Sequence, residues 1–358
     1  MKKVIIIVLT VAAGTAGLWA GPYSPASGPS QAVDAGIPGF VGPAGDGIVD
    51  PANQVNPLFV AWAGAYSGYQ PAGVVDEQWQ VASRALGPVS GDEIGGVVSL
   101  GDLSAADIAA GKPPGRITLS FDQTIGDAVG ADLAVFENGY YRGSAFFAEL
   151  AYVEVSSDGM NFARFPSRSL TPGAVGEYGT IDATNVYNLA GKHANAYGLS
   201  WGTPLDLTDL ADDPLVTGGL VDTMLIRYVR LVDVPGGGTF LDAVGGPIYD
   251  AWVTWGSGGF DLDAAGAIHP SPGPGDANND GLVNVGDLGI LASNWGATGL
   301  LRWAHGDLNK DGAVNVSDLG ILAGNWGAQP PSAPAPEPCA ALILLIGAAG
   351  RARTRGRR

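Results

Sequence analysis

One cysteine, Cys339, stands in 358 residues, so no intramolecular disulfide can form, and stability outside a cell has to come from a buried core and bound metal. Charged residues make up only 15% of the chain, while glycine (56) and proline (25) are abundant, which argues against long solvated helices. Basic residues are few and badly placed for phosphate. Lys2 and Lys3 lie at one end and Arg351, Arg353, Arg355, Arg357 and Arg358 at the other, within a formal charge of −17. A nucleic-acid partner, which needs Lys and Arg gathered on a folded face, is excluded. Loss of both ends would leave the remainder still more acidic, a surface that attracts cations. Histidine is equally sparse, and His193 alone falls between residues 35 and 268.

What is present favours short strands. Val, Ile, Tyr, Phe and Trp are scattered in runs broken by Gly, Pro, Asp and Asn, and the length has room for two domains. The clearest alternating runs are Ile117–Phe121, Leu133–Phe136, Tyr152–Val155 and Ile226–Val232. Tyr152–Val155, the Asp158-Gly159 turn and Met160–Phe165 read as a hairpin. The predicted fold class is mainly β: a body over 35–268, then a small α module.

Both ends read as addresses. Residues 1–20 have the charged start and short apolar run of a secretory signal, with a cut after Ala16 or Ala20, and 21–34 form a Pro/Gly-rich leader. The apolar run is shorter than the roughly 20 residues of a membrane-spanning helix. At the other end, a Pro-rich linker (329–335) leads into Pro336-Glu337-Pro338, an apolar run from Cys339 to Gly350, and the arginine cluster. In that order, 336–358 resembles the PEP-CTERM sorting signal of bacterial surface proteins. The resemblance implies transient membrane insertion, arginines held on the cytoplasmic side, processing by an exosortase-type peptidase, and a cell-surface or extracellular destination.

The strongest internal signal is a duplication. Gly275–Ala297 and Gly306–Ala328 agree at 18 of 23 positions. Each copy places oxygen-bearing side chains at positions 1, 3, 5, 9 and 12 of a loop, with glycine at 6 and a backbone carbonyl at 7. In the first these are Asp276, Asn278, Asp280, Asn284 and Asp287, with Gly281 and the Leu282 carbonyl. In the second they are Asp307, Asn309, Asp311, Asn315 and Asp318, with Gly312 and the Ala313 carbonyl. A hard cation wants about six to eight oxygens, and alternate side chains on a loop that turns at glycine deliver them to one centre, so Ca2+ is expected in each. Magnesium suits the pattern less, and a structural zinc site is excluded because the loops hold neither Cys nor His.

After each loop, Leu288, Leu291, Ala292 and Trp295, and then Leu319, Leu322, Ala323 and Trp326, recur at helical spacing. They predict two short helices, each with one buried apolar face, packed against each other. Residues 275–328 closely resemble a type I dockerin, joined to the body by a linker over 269–274. The resemblance implies EF-hand-like calcium binding and a cohesin-like partner, with Val285-Gly286 and Val316-Ser317 at the positions that choose that partner.

For the body, the hairpin together with Arg227–Leu231 resembles the β-sandwich, galactose-binding-like jelly rolls of carbohydrate-binding and adhesive modules. The stretches Val135–Gly139, Tyr197-Gly198 with Gly202–Leu207, and Gly259–Ala264 resemble PEP-CTERM surface proteins of unknown activity. Two enzyme signals need weighing. Gly198-Leu199-Ser200-Trp201-Gly202 fits the letters of a nucleophile elbow, but Pro204 blocks the helix that should follow, and a loop is expected instead. Asp132, Glu137, Glu149, Glu154, Asp261 and Asp263 include enough carboxylates for a glycosidase pair. Glu137, Asp261 and Asp263 also form a candidate for a further structural ion in the body. No catalytic residue or organic-cofactor site is assigned. The expected function is an exported, calcium-binding, non-catalytic binding or adhesion protein, with extracellular polysaccharide as a partner; the alternative is a secreted polysaccharide-degrading hydrolase with a dockerin-like appendage.

Overall fold

The computed structural model describes residues 23, 36–39, 55–90, 96–143 and 145–329. Apart from Tyr23 and Gln329, the expected signal, leader, Pro-rich linker and sorting tail lie outside the described residues. The chain divides into two compact units. One holds the described residues to Ser271 with Leu300–Trp303, and the other holds Pro272–Gly299 with the described residues from Ala304.

The first unit is mainly β, built from antiparallel sheets. One sheet runs, in spatial order, Ile37–Pro38, Trp201–Leu205, Leu133–Glu137, Asp261–Ala267 and Ala61–Trp62, with Val98–Ser99 also paired to Asp261–Ala267. The other runs Ala163–Arg164, Ala151–Ser156, Ile226–Asp233, Arg116–Ile125 and Ala65–Gln70, with Leu189–Ala190 beside Ala151–Ser156. The pleat explains the spacing of the residues. In Arg116–Ile125, Ile117, Leu119 and Phe121 point one way and are buried while Thr118 and Ser120 between them are partly exposed. Those three side chains share one core with Val229 and Leu231 of the same sheet and with Leu133, Val135, Leu262 and Ala265 of the other. Each fully buried aliphatic or aromatic side chain there contributes roughly 1.5–3 kcal/mol relative to exposure.

Leu133–Glu137 is buried at every position, so this strand is covered on both faces. Its second face turns Ala134 and Phe136 toward Val89, Ala264 and Ile268, with Phe59 and Trp62 against them, and the Phe59 and Phe136 rings stand 5.7 Å apart. The predicted hairpin forms with a shorter returning strand: Val155 faces Ala163 and Glu154 faces Arg164. Its turn is tied by Asp158, whose Oδ1 accepts from the Met160 and Asn161 amides at 2.8 Å each, and by Gly159 at φ 77°. Trp201–Leu205 is a strand rather than the expected loop. Pro204 sits in it, and the chain is extended on both sides of it.

The second unit carries helices Val285–Ser293 and Val316–Gly324. Asn284 and Asn315 cap their starts, and Asp287 and Asp318 close the reciprocal half of each capping box. The two copies interlock through backbone. Val283 donates to the Ala328 carbonyl at 3.2 Å and Val314 donates to the Ala297 carbonyl at 3.0 Å, so the segment after each helix pairs with the loop of the other copy. Gly306 is required by this approach, since a Cβ there would stand 2.9 Å from the Leu291 Cα. The buried face is narrower than the spacing predicted. Leu291 and Leu322 are 1% exposed, but Trp295 and Trp326 are 52% and 53% exposed and Ala292 and Ala323 lie outside. Two helices of this length and their loops enclose only one leucine layer, and the tryptophans fall past the helix ends.

Candidate functional site

The two loops fold alike, atom for atom. Asp276 accepts from the Asp280 amide at 3.2 Å and the Gly281 amide at 2.9 Å, and Asp307 accepts from Asp311 at 3.1 Å and Gly312 at 3.0 Å. Gly281 and Gly312 take φ 82° and 79°, the turn that glycine permits. Asp287 is fully buried, with Oδ1 accepting from the Ala277 amide at 2.7 Å and Oδ2 from the Asn284 amide at 2.8 Å; Asp318 repeats both contacts with Leu308 and Asn315. Asn278 and Asn309 bridge back to Asp280 and Asp311 through their side-chain amides, at 2.9 and 2.8 Å. Asn284 and Asn315 are spent first as caps, accepting from Gly286 and Ser317 at 2.7 and 2.8 Å. Burial, then the charges of Asp287 and Asp280, raises the Asp276 carboxyl above its ordinary range; burial and Asp318 with Asp311 do the same for Asp307. The donor set is all oxygen, with like charges held close, and that is chemistry a hard divalent cation relieves.

In the body the sequence-chosen carboxylates separate into different roles. Glu154 is consumed by two guanidiniums, Arg164 at 2.7 Å and Arg230. Asp132 is fully buried and accepts from Ala128, Leu207 and His269, and burial pushes it up to about 6. Its oxygens, with those of Asp127 and Asp206, form the trio of carboxylates lying within 4.8 Å of one another among the described residues. Nothing in the spacing of 127, 132 and 206 announced it. Asp263 is not with Glu137 and Asp261 as expected. It accepts from the Ser90 amide and hydroxyl and from the Asn195 side chain at 2.9 Å, because a bulge between Leu262 and Ala264 turns it away.

Glu137 and Asp261 do belong together, in larger company. Asp102, Glu137, Glu149, Asp233, Asp250 and Asp261 are all buried. The segment from Thr254 to Asp261 ties three of them and carries a fourth, Asp261. The Thr254 amide donates to Asp102 at 3.0 Å, its hydroxyl donates to Glu149, the Gly259 amide donates to Glu149 at 3.0 Å, and the Phe260 amide donates to Asp233 at 2.9 Å. Asp250 accepts from Leu150, next to Glu149, at 2.7 Å. Burial, followed by the charges of the neighbouring acids, holds Glu137, Glu149 and Asp233 well above the carboxylate range, and burial pushes Asp102 and Asp261 up to about 7. Sequence reasoning missed Asp102, Asp233 and Asp250, which lie at ends of different strands and share no spacing.

Glu149 and Asp261 open on a cleft of about 160 Å³ whose wall includes Tyr140, Phe147, Tyr178 and Trp255. Tyr140 and Phe147 stack at 5.1 Å and Phe147 and Tyr178 at 6.5 Å, while Trp255 is 55% exposed. Ser200 is fully buried and its hydroxyl has no partner; His193 turns Nδ1 to the Thr203 hydroxyl at 3.1 Å instead. Ser200 and His193 therefore form no hydrogen-bonded pair. No helix among the described residues is long and apolar enough to cross a membrane. No protein-family model, no curated protein and no solved structure matches the chain.

Proposed function

We propose that this is an exported calcium-binding protein of the cell surface or extracellular matrix, in which a dockerin-like loop pair is joined to a non-catalytic binding body. The observation that carries the reading is the repetition of one oxygen-rich loop geometry in both copies, down to the Asp276 and Asp307 hydrogen bonds. Calcium at Asp276, Asn278, Asp280, the Leu282 carbonyl and Asp287, and at the matching residues of the second copy, neutralises carboxylates that otherwise repel and ties each loop to its helix start. Asn284 and Asn315 act through water or as caps, as position 9 of such loops commonly does.

The body is read as a galactose-binding-like sandwich because its two sheets share a core. The aromatic wall of the cleft supports an extracellular polysaccharide as its ligand, since flat rings offer an apolar face while carboxylates and Asn138 offer polar contacts. The same cleft is the observation that keeps a hydrolase in view, with Glu149 and Asp261 as the acids. A glycan array and a polysaccharide hydrolysis screen on the full chain separate the two. Binding lost in Trp255→Ala without product release supports the binding reading; product release lost in Glu149→Gln supports the hydrolase. Export, exosortase processing and a cohesin-like partner rest on the ends and on the loop resemblance. Intact-mass analysis of the surface form tests the first two: Arg351–Arg358 still attached would contradict them.

A further inference from the structure

The loops leave a second concentration of acid unexplained. Of the carboxylates buried in the body, Asp102, Glu137, Glu149, Asp233, Asp250 and Asp261 make no salt bridge to Lys or Arg among the described residues. Five of them each present one buried oxygen without a hydrogen-bond partner among the described residues: Asp102 Oδ1, Glu137 Oε1, Asp233 Oδ2, Asp250 Oδ1 and Asp261 Oδ1. Their other oxygens are not loose. Amide donors hold them: Thr254 on Asp102, Gly139 on Glu137 at 2.7 Å, Phe260 on Asp233, Leu150 on Asp250, and the Asn138 side chain on Asp261 at 3.3 Å. Each carboxylate is thus fixed by one oxygen and leaves the second unsatisfied. The backbone makes room for this arrangement, since a Cβ on Gly236 would stand 1.5 Å from Asp250 Oδ1.

A buried carboxylate oxygen with no partner is costly, and burying several together compounds the cost through repulsion. Protonation relieves it in part, by letting one carboxyl donate to another, and coordination to a cation relieves it by drawing on the orphaned oxygens while cancelling their charge. The Asp127, Asp132 and Asp206 trio differs here, because Asp132 is satisfied by three donors and Asp127 by Thr208 and Thr223. We propose that the buried carboxylates Asp102, Glu137, Glu149, Asp233, Asp250 and Asp261 form a calcium site inside the body, separate from the loop pair. No three of these oxygens are drawn within 4.8 Å, unlike those of the trio, so a cation here takes carboxylates in pairs and completes its shell with backbone carbonyls and water. The site adjoins the aromatic cleft through Glu149 and Asp261, and calcium there sets the cleft's floor.

The test uses the full chain with its loops disabled, Asp276→Ala/Asp280→Ala/Asp307→Ala/Asp311→Ala, equilibrated with calcium and weighed by native mass spectrometry. At least one calcium retained per chain supports the site; none retained overturns it. Adding Asp102→Asn/Asp233→Asn should remove that ion, while adding Asp127→Asn/Asp206→Asn should leave it. The opposite pattern overturns the assignment. Should the first of these fail to fold, melting of the loop-disabled chain decides. Calcium, and not magnesium, should raise the body's transition by roughly 5 °C over the chelated protein; equal melting in calcium and chelator overturns the proposal. Because the loops are disabled throughout, failure here leaves the loop reading untouched.

Discussion

The loop pair and the buried carboxylates of the body solve the same electrostatic problem in opposite ways. In the loops the acids lie close together in sequence and are held by nearby amides, with Asp280 and Asp311 exposed, so one stretch of chain carries the whole donor set and a second copies it. In the body the acids come from positions 102 to 261 and are buried together by the fold, with Glu149 and Asp261 lining the cleft. Water reaches Asp280 and Asp311 of the first arrangement directly; most carboxylates of the second are cut off from it. Local sequence encodes the one, and topology alone encodes the other.

The comparison is best broken by perturbing each region and reading the other. The largest expected effect is in the body: Phe136→Ala removes a fully buried ring packed against Phe59 and Trp62 and should cost about 3–5 kcal/mol. Chemical denaturation followed by near-ultraviolet dichroism measures it, and the helical signal of the second unit should be retained. Leu291→Ala should cost about 2–5 kcal/mol in the second unit, because this leucine with Leu322 is the centre of a thin core. If the body's transition moved equally with it, the two units would not be independent.

Loops of this kind were legible because period and chemistry coincide. Oxygen side chains at 1, 3, 5, 9 and 12 around a glycine marked out two like loops, which the structure folds alike, and the four clearest strands announced themselves by alternation. The rest was hidden for physical reasons. Asp233 reads as the polar end of the strand Ile226–Asp233 until the Phe260 amide is found on it, and Asp250 follows a two-stranded ribbon. Asp263, expected with Glu137 and Asp261, is parted from them at the bulge between Leu262 and Ala264, which sequence does not announce. Trp295 and Trp326 were placed in the core because helical spacing was extended beyond the last helical turns at Ser293 and Gly324.

Smaller effects sharpen the picture. His193 is buried and held well below its ordinary range, first by burial and then by the Lys192 charge. A histidine whose folded pKa is depressed costs stability as pH falls below its unfolded value of about 6.5, with a limiting slope of about 1.4 kcal/mol per pH unit. The raised carboxyls such as Asp102 and Asp261 act in the opposite sense over the same range, so the slope is read as the difference between parent and His193→Gln in urea melts between pH 7 and 5. Ser200→Ala removes a hydroxyl that satisfies nothing and should shift stability by less than about 1 kcal/mol. Serine-directed fluorophosphonates should leave the parent chain unlabelled. Trp295→Ala and Trp326→Ala, at half-exposed positions, should each change stability by no more than about 0.5 kcal/mol.

The most direct test of the calcium-loop reading is the difference in bound calcium between the parent chain and Asp276→Ala/Asp280→Ala/Asp307→Ala/Asp311→Ala, counted by native mass spectrometry after equilibration at one free-calcium level. Two copies of one loop geometry predict that the parent carries two more ions than the variant, with each half of the substitution set removing one. An equal count in parent and variant would contradict the account.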